Sequence, residues 1–217
     1  ILFKSSVLKR VNIYKNSFNL LNMILNNSNK KNLNKILLKN KNKFPKNKNI
    51  PKNYIAIQAR QLSRRDKKYI NLDKERNIDI SNLKNLISQI FKKKKNIDII
   101  VISTESAAFF KRKLGIKNKK IFFSNQFAKN YLETGNLVLN SKLFLAHNAT
   151  GIGIFAIFSK VPYIMTWPYY TLENEFIWLK SSSKLTSWQI RKQKTYFKMT
   201  FEEYINRVNK FLDAYDI

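Results

Sequence analysis

The residues best suited to chemistry are few, and they sit where apolar runs end. In HNATGIGIF (147–155), polar residues and two glycines follow the apolar KLFLA. A turn of this composition leaves backbone amides free at a helix start, where the helix dipole favours an anion. Gly151 and Gly153 are half of the chain's four glycines, and without a Cβ they would let a phosphate approach closely. Asn148 and Thr150 add side-chain donors. The plainer alternative is a turn that uses glycine only for packing. The segment matches neither G-x-x-x-x-G-K-[ST] nor G-x-G-x-x-G.

Arg60 closes another apolar run, YIAIQAR (54–60), and a guanidinium held at a strand end can fork onto a diphosphate. Ser63, Arg64, Arg65 and Asp66 follow, so the alternative is a solvated basic loop. Asp66 is a candidate base, or an ion-pair partner for the two arginines. His147, the only histidine, also ends an apolar run, as a candidate base or a structural side chain. Thr104 and Glu105 are either a helix cap with a first-turn acid or contacts for sugar and ribose hydroxyls. Glu173 and Glu175 would hold ribose hydroxyls or offset nearby Lys. Trp167, Trp178, Trp188, Tyr169 and Tyr170 offer either a stacking wall or core packing.

Composition removes other chemistries. The absence of Cys excludes a disulfide framework, a zinc ribbon and a thiol nucleophile. One His excludes a multi-histidine metal site, so no metal and no cofactor are expected. The formal charge of +29 points to nucleic acid, an anionic membrane or a phosphorylated ligand. Lys, Asn and Ile also share AT-rich codons, so base composition contributes to it. The charge is uneven. Residues 1–53 hold thirteen Lys and Arg and no acid, which leaves +16 for the rest. Residues 26–53 are nearly low complexity, with Pro45 and Pro51 as helix breakers, and read as a basic linker after a short helix near Ser17–Leu25. No apolar run nears the ~20 residues that cross a bilayer. The compartment expected is therefore the cytoplasm, with peripheral contact at the inner face of the membrane. The chain starts at Ile1 and not Met, so it is expected to be a piece of a longer one.

The elements that position these residues begin at Tyr54. Five strands are expected, in YIAIQAR (54–60), IDIIVIS (97–103), KIFFS (120–124), KLFLAHN (142–148) and VPYIMTW (161–167). Between them, Leu83, Leu86, Ile87, Ile90 and Phe91 recur at helical spacing with Ser81 as cap. Thr104 caps a second helix that Gly115 stops, residues 127–139 are partly helical and weakened by Gly135, and residues 151–159 form a short helix. After Pro168 the chain reads as helical, ending in an amphipathic stretch over 201–215. Strands alternating with helices predict an α/β, Rossmann-like parallel sheet over residues 54–217, behind a basic segment over 1–53. Ligands of such sheets bind beyond the carboxyl ends of the strands, which is where the polar residues above fall.

The run SKLFLAHNATGIGIFAIFSKVPYIMTWP (141–168) resembles the donor-binding, C-terminal half of GT-B-type glycosyltransferases of bacterial surface-carbohydrate and lipopolysaccharide biosynthesis. The shared pattern is an apolar strand, a small polar–Gly turn, an Ala-rich helix and a strand entered through Lys160-Val161-Pro162. YIAIQAR resembles the strand that carries a diphosphate-binding Arg in fucosyltransferase-like members, a role that would fall on Arg60. Gln58 stands where those members have His. Ala149 and Ile154 stand where heptosyltransferase-like members have Asp and His.

The resemblance implies a metal-independent transferase that moves a sugar from a nucleotide-sugar to a glycan or glycolipid acceptor. Arg60, Asn148, Thr150, Gly151 and Gly153 would hold the diphosphate. Thr104, Glu105 and Glu173 would meet the nucleoside or sugar, and His147 or Asp66 would be the base. An acceptor domain would lie before Ile1, and residues 1–53 would rest on anionic lipid or bind a phosphorylated acceptor. The rival readings are a basic nucleic-acid-binding or ribosome-associated protein, and a non-catalytic transferase-like domain. If the Lys formed one stripe and Arg60 lay far from Gly151, nucleic acid would be favoured.

Overall fold

Runs of Ile, Val, Leu and Phe without polar alternation can be strands only if both faces are covered. The structure is a computed structural model that describes residues 49–60, 77–115, 118–148, 151–157, 159–167 and 191–216. In it these runs become β1 (Tyr54–Gln58), β2 (Asp98–Ile102), β3 (Ile121–Phe123), β4 (Leu143–Ala146) and β5 (Tyr163–Trp167). All five are the expected strands. With β6 (Gln193–Phe197) they form one sheet in the order β3-β2-β1-β4-β5-β6, with every pairing parallel.

The sixth strand is a correction to the expected all-helical stretch after Pro168. QKTYF is polar at its start, but it runs in register with β5 from Tyr163↔Gln193 to Trp167↔Phe197. Its buried Gln193 sends one amide nitrogen to the carbonyls of Ser159 (2.9 Å) and Val161 (3.0 Å), which pins the strand to the loop before β5. The Tyr, Thr and Phe that follow suit a half-buried edge.

Helices cover both faces. On the first face lie α1 (Ile80–Lys93), α2 (Ala107–Leu114) and, after β6, α5 (Phe201–Ala214). α1 buries Leu83, Leu86, Ile87 and Ile90, the expected stripe, each adding about 2 kcal/mol of apolar burial. Its cap is Asp79 and not Ser81; the Asp79 carboxylate accepts from the Ser81 amide at 2.6 Å. α2 is capped by Ser106 and not Thr104, and Gly115 ends it in the left-handed conformation (φ 61°). α5 starts with a capping box between Thr200 and Glu203. On the second face lie α3 (Tyr131–Asn140) and the four-residue α4 (Ile154–Ile157), which a single 3-10 turn over Gly151–Gly153 precedes. Gly135 does not merely weaken α3. A Cβ there would stand 2.4 Å from the Phe155 ring, so this glycine is what lets α3 and α4 approach. No helix among the described residues is long and apolar enough to cross a membrane.

Candidate functional site

The strand order reverses between β1 and β4, the point at which a parallel sheet of this kind opens a crevice beyond its carboxyl ends. A cleft of about 480 Å³ lies there, lined from β1 by Gln58 and Arg60, from the loops after β2 and β3 by Ser103, Thr104, Ser124 and Asn125, from the start of α3 by Lys129–Tyr131 and Thr134, and after β4 by Gly151 and Ile152.

Local structure fixes each wall. Residues alternate along β1, so Tyr54, Ala56 and Gln58 face the second layer, and Arg60 continues that series. The Arg60 backbone is held on both sides: the Ala59 amide donates to the Ile102 carbonyl (2.9 Å), and the Ile78 amide donates to the Arg60 carbonyl (3.0 Å). The buried Ser124 hydroxyl donates to the Ser103 carbonyl (3.1 Å) and accepts from the Ser103 amide (3.2 Å), which joins the ends of β2 and β3 into one rim. The Glu105 amide donates to Ser103 Oγ, so the loop after β2 turns tightly there.

The start of α3 closes on itself. Asn130 Oδ1 accepts from the Glu133 amide (2.9 Å), and Glu133 Oε2 accepts from the Lys129 amide (2.7 Å). These two amides are therefore occupied, and the side of α3 that meets the cleft carries Tyr131 and Thr134. The Tyr131 hydroxyl donates to the Gly151 carbonyl at 2.7 Å, while its ring leans on Phe155. One hydrogen bond thus ties the start of α3 to the glycine turn.

Of the expected site residues, the structure brings Arg60, Thr104 and Gly151 to one cleft. Gly153 is buried behind the turn and Asn148 stands before it at φ 58°, its amide donating to Thr166 Oγ1 (2.8 Å); neither lines the cleft. Glu105 contributes its backbone to the rim, and its side chain is not among the lining groups. His147 is not brought to the cleft. It continues the series Leu143, Leu145, which faces the first layer, and it packs against Phe201 and Tyr204 of α5. Its Nε2 lies 3.2 Å from the Met199 carbonyl, an acceptor, so that nitrogen carries the hydrogen. Burial holds its pKa below the usual imidazole value, partly offset by the Met199 bond. Asp66, Thr150 and Glu173 lie outside the described residues, as do Ser63, Arg64, Arg65, Glu175, Trp178, Trp188, Tyr169 and Tyr170.

Sequence reasoning missed Lys129, Asn130, Tyr131 and Thr134. The signal was present in Asn130-x-x-Glu133, the spacing of a capping box ahead of an apolar stretch, which would have set the helix start at Tyr131. The described wall holds two cations, five hydroxyls and three side-chain amides, and among the described lining residues there is no carboxylate or imidazole to move a proton. No group of three His, Asp or Glu that could hold a metal occurs among the described residues. No family model, curated protein or solved structure matches the chain.

Proposed function

We propose that the cleft binds a nucleotide-sugar, and that the chain is a glycosyltransferase, or the donor-binding half of one, acting on a surface-carbohydrate acceptor. One observation carries this reading: Arg60 from the end of β1 and Gly151 from the turn after β4 line the same cleft at the point where the strand order reverses. A lone basic loop would have no reason to meet a glycine turn from another strand. In this reading the Arg60 guanidinium forks onto the diphosphate, and Lys129, which lines the same cleft, adds a second cation. Gly151 leaves room for a phosphate oxygen, and Ser103, Thr104 and Thr134 meet sugar or ribose hydroxyls. As the bond to the sugar breaks, negative charge grows on the leaving diphosphate, and cations already fixed in position stabilise it without reorganising. Of the two candidate bases, His147 belongs to the other side of the sheet, so this reading keeps Asp66 as its candidate.

A thermal-shift panel of UDP-, GDP-, CMP- and ADP-sugars, with an RNA oligomer as control, tests the reading. One nucleotide class is expected to raise the unfolding temperature. Arg60→Ala should weaken that ligand by roughly tenfold to a hundredfold, the range for losing a charge-assisted hydrogen bond. Stabilisation by RNA alone, or undiminished binding by Arg60→Ala, would remove the nucleotide-sugar from the cleft.

A further inference from the structure

We propose that the amino edge of the sheet, the end opposite the cleft, is a docking face for an anionic membrane surface. Each of the six strands is entered past an exposed cation: Lys52 before β1, Lys95 before β2, Lys119 before β3, Lys142 before β4, Lys160 before β5 and Arg191 before β6. The strands are parallel and in register, so these six stand along one edge. With strands ~4.8 Å apart, the row is about 24 Å long. Helix ends deepen it, because α1 runs into Lys92–Lys95 and α2 ends in Lys111, Arg112 and Lys113.

A helix C-terminus favours one or two cations. That accounts for some of these residues but not for a cation at every strand, nor for four consecutive lysines. The acids at this edge among the described residues do not neutralise the row. Asp213 pairs with Lys93 at 2.6 Å, Asp216 with Lys94 at 3.8 Å, and Asp98 feels Lys120. The six entry cations are additional to these. The chain also reaches β1 at this edge from residues 1–51, which add twelve further cations and no acid.

The character of the row selects the partner. Five of the six are Lys, whose compact hydrated charge suits an electrostatic surface, whereas phosphate and base recognition in nucleic acids favours the planar fork of Arg. Among the described residues the exposed large apolar side chains are Tyr131 and Leu132, and both belong to the opposite end, so neither stands at this edge to stack on a base. A row of exposed lysines along one edge suits a surface of anionic headgroups, each Lys near that surface strengthening binding roughly fivefold. Docked this way, the cleft opens away from the bilayer. This inference does not depend on what the cleft binds.

The test uses the full chain and vesicles of phosphatidylcholine with or without phosphatidylserine. Binding should require phosphatidylserine and fade with salt. Neutralising all six entry cations to Gln, with residues 1–51 kept intact, should weaken it by roughly a hundredfold or more. The native chain has no cysteine, so single-site labels give a second readout independent of the multiple variant's folding. A fluorophore on Lys142→Cys should be quenched by quencher-bearing lipid, and one on Thr104→Cys should not. Undiminished vesicle binding by the six-site variant, equal quenching at both sites, or tighter binding to duplex RNA than to vesicles at the same salt would each overturn the proposal.

Discussion

His147 and Arg60 show how a single step along a strand decides a residue's chemistry. Both end apolar runs, and both are polar residues at the carboxyl edge. Alternation turns Arg60 towards the cleft and His147 towards Phe201 and Tyr204. A half-buried imidazole whose pKa is lowered by burial has a measurable signature. Its folded pKa lies below the unfolded value of about 6.5, so the unfolded chain binds the proton more readily. The stability it contributes is present above about pH 6.5 and is lost as pH falls through the folded value. The unfolding temperature should therefore drop between about pH 7.5 and about pH 5.5, and His147→Gln should flatten that part of the profile. Ligand binding in the cleft should persist in this variant. An unchanged pH slope would show that His147 titrates alike in both states.

At the scale of elements, Gly135 gives the sharpest expectation. In Gly135→Ala the new methyl meets the Phe155 ring at 2.4 Å, so α3 and α4 must separate or the ring must turn. Despite the better helix propensity of Ala, the variant should lose about 1–3 kcal/mol in chemical denaturation. A gain in stability would show that the ring moves freely. The elements also show how far a sequence can be read. β1 to β5 were legible because continuous β-branched and aromatic runs of this length are buried strands between helices. β6 was not, because Gln193, Lys194 and Thr195 leave its first half without an apolar pattern and its anchor is a buried amide, Gln193, whose role depends on a distant loop. The cleft divided in the same way. Arg60 and Gly151 announced themselves as a charge and a glycine at strand ends. Lys129, Tyr131 and Thr134 depend on where α3 begins, and reading 127–139 as one partial helix hid the cap at Asn130.

For the whole molecule, charge is sorted by the direction of the strands. Of the eight acids among the described residues, Asp79, Glu105, Glu133, Glu202 and Glu203 lie at or beside helix starts at the carboxyl edge, and the remaining three lie at the amino edge. The helix dipole explains the acids, and the row of entry cations goes beyond it. The sheet has both faces covered by described elements alone, so deleting residues 1–48 should leave a cooperative unfolding transition and unchanged ligand binding in the cleft. Loss of the far-UV helical signal would show that the deleted segment is part of the fold. Residues 49–53 should be kept, since the Asn53 carbonyl accepts from the Asp98 amide at 3.0 Å and Ile50 packs on the second-face core. The same backbone stapling has a consequence at the other edge. The Ile78-to-Arg60 hydrogen bond fixes both stems of the connection between β1 and α1, and closing a loop grows only slowly more costly with its length. A connection of another length between those stems should therefore leave both elements in place. A lineage, or a library, could change the length of that connection while the frame stays as it is.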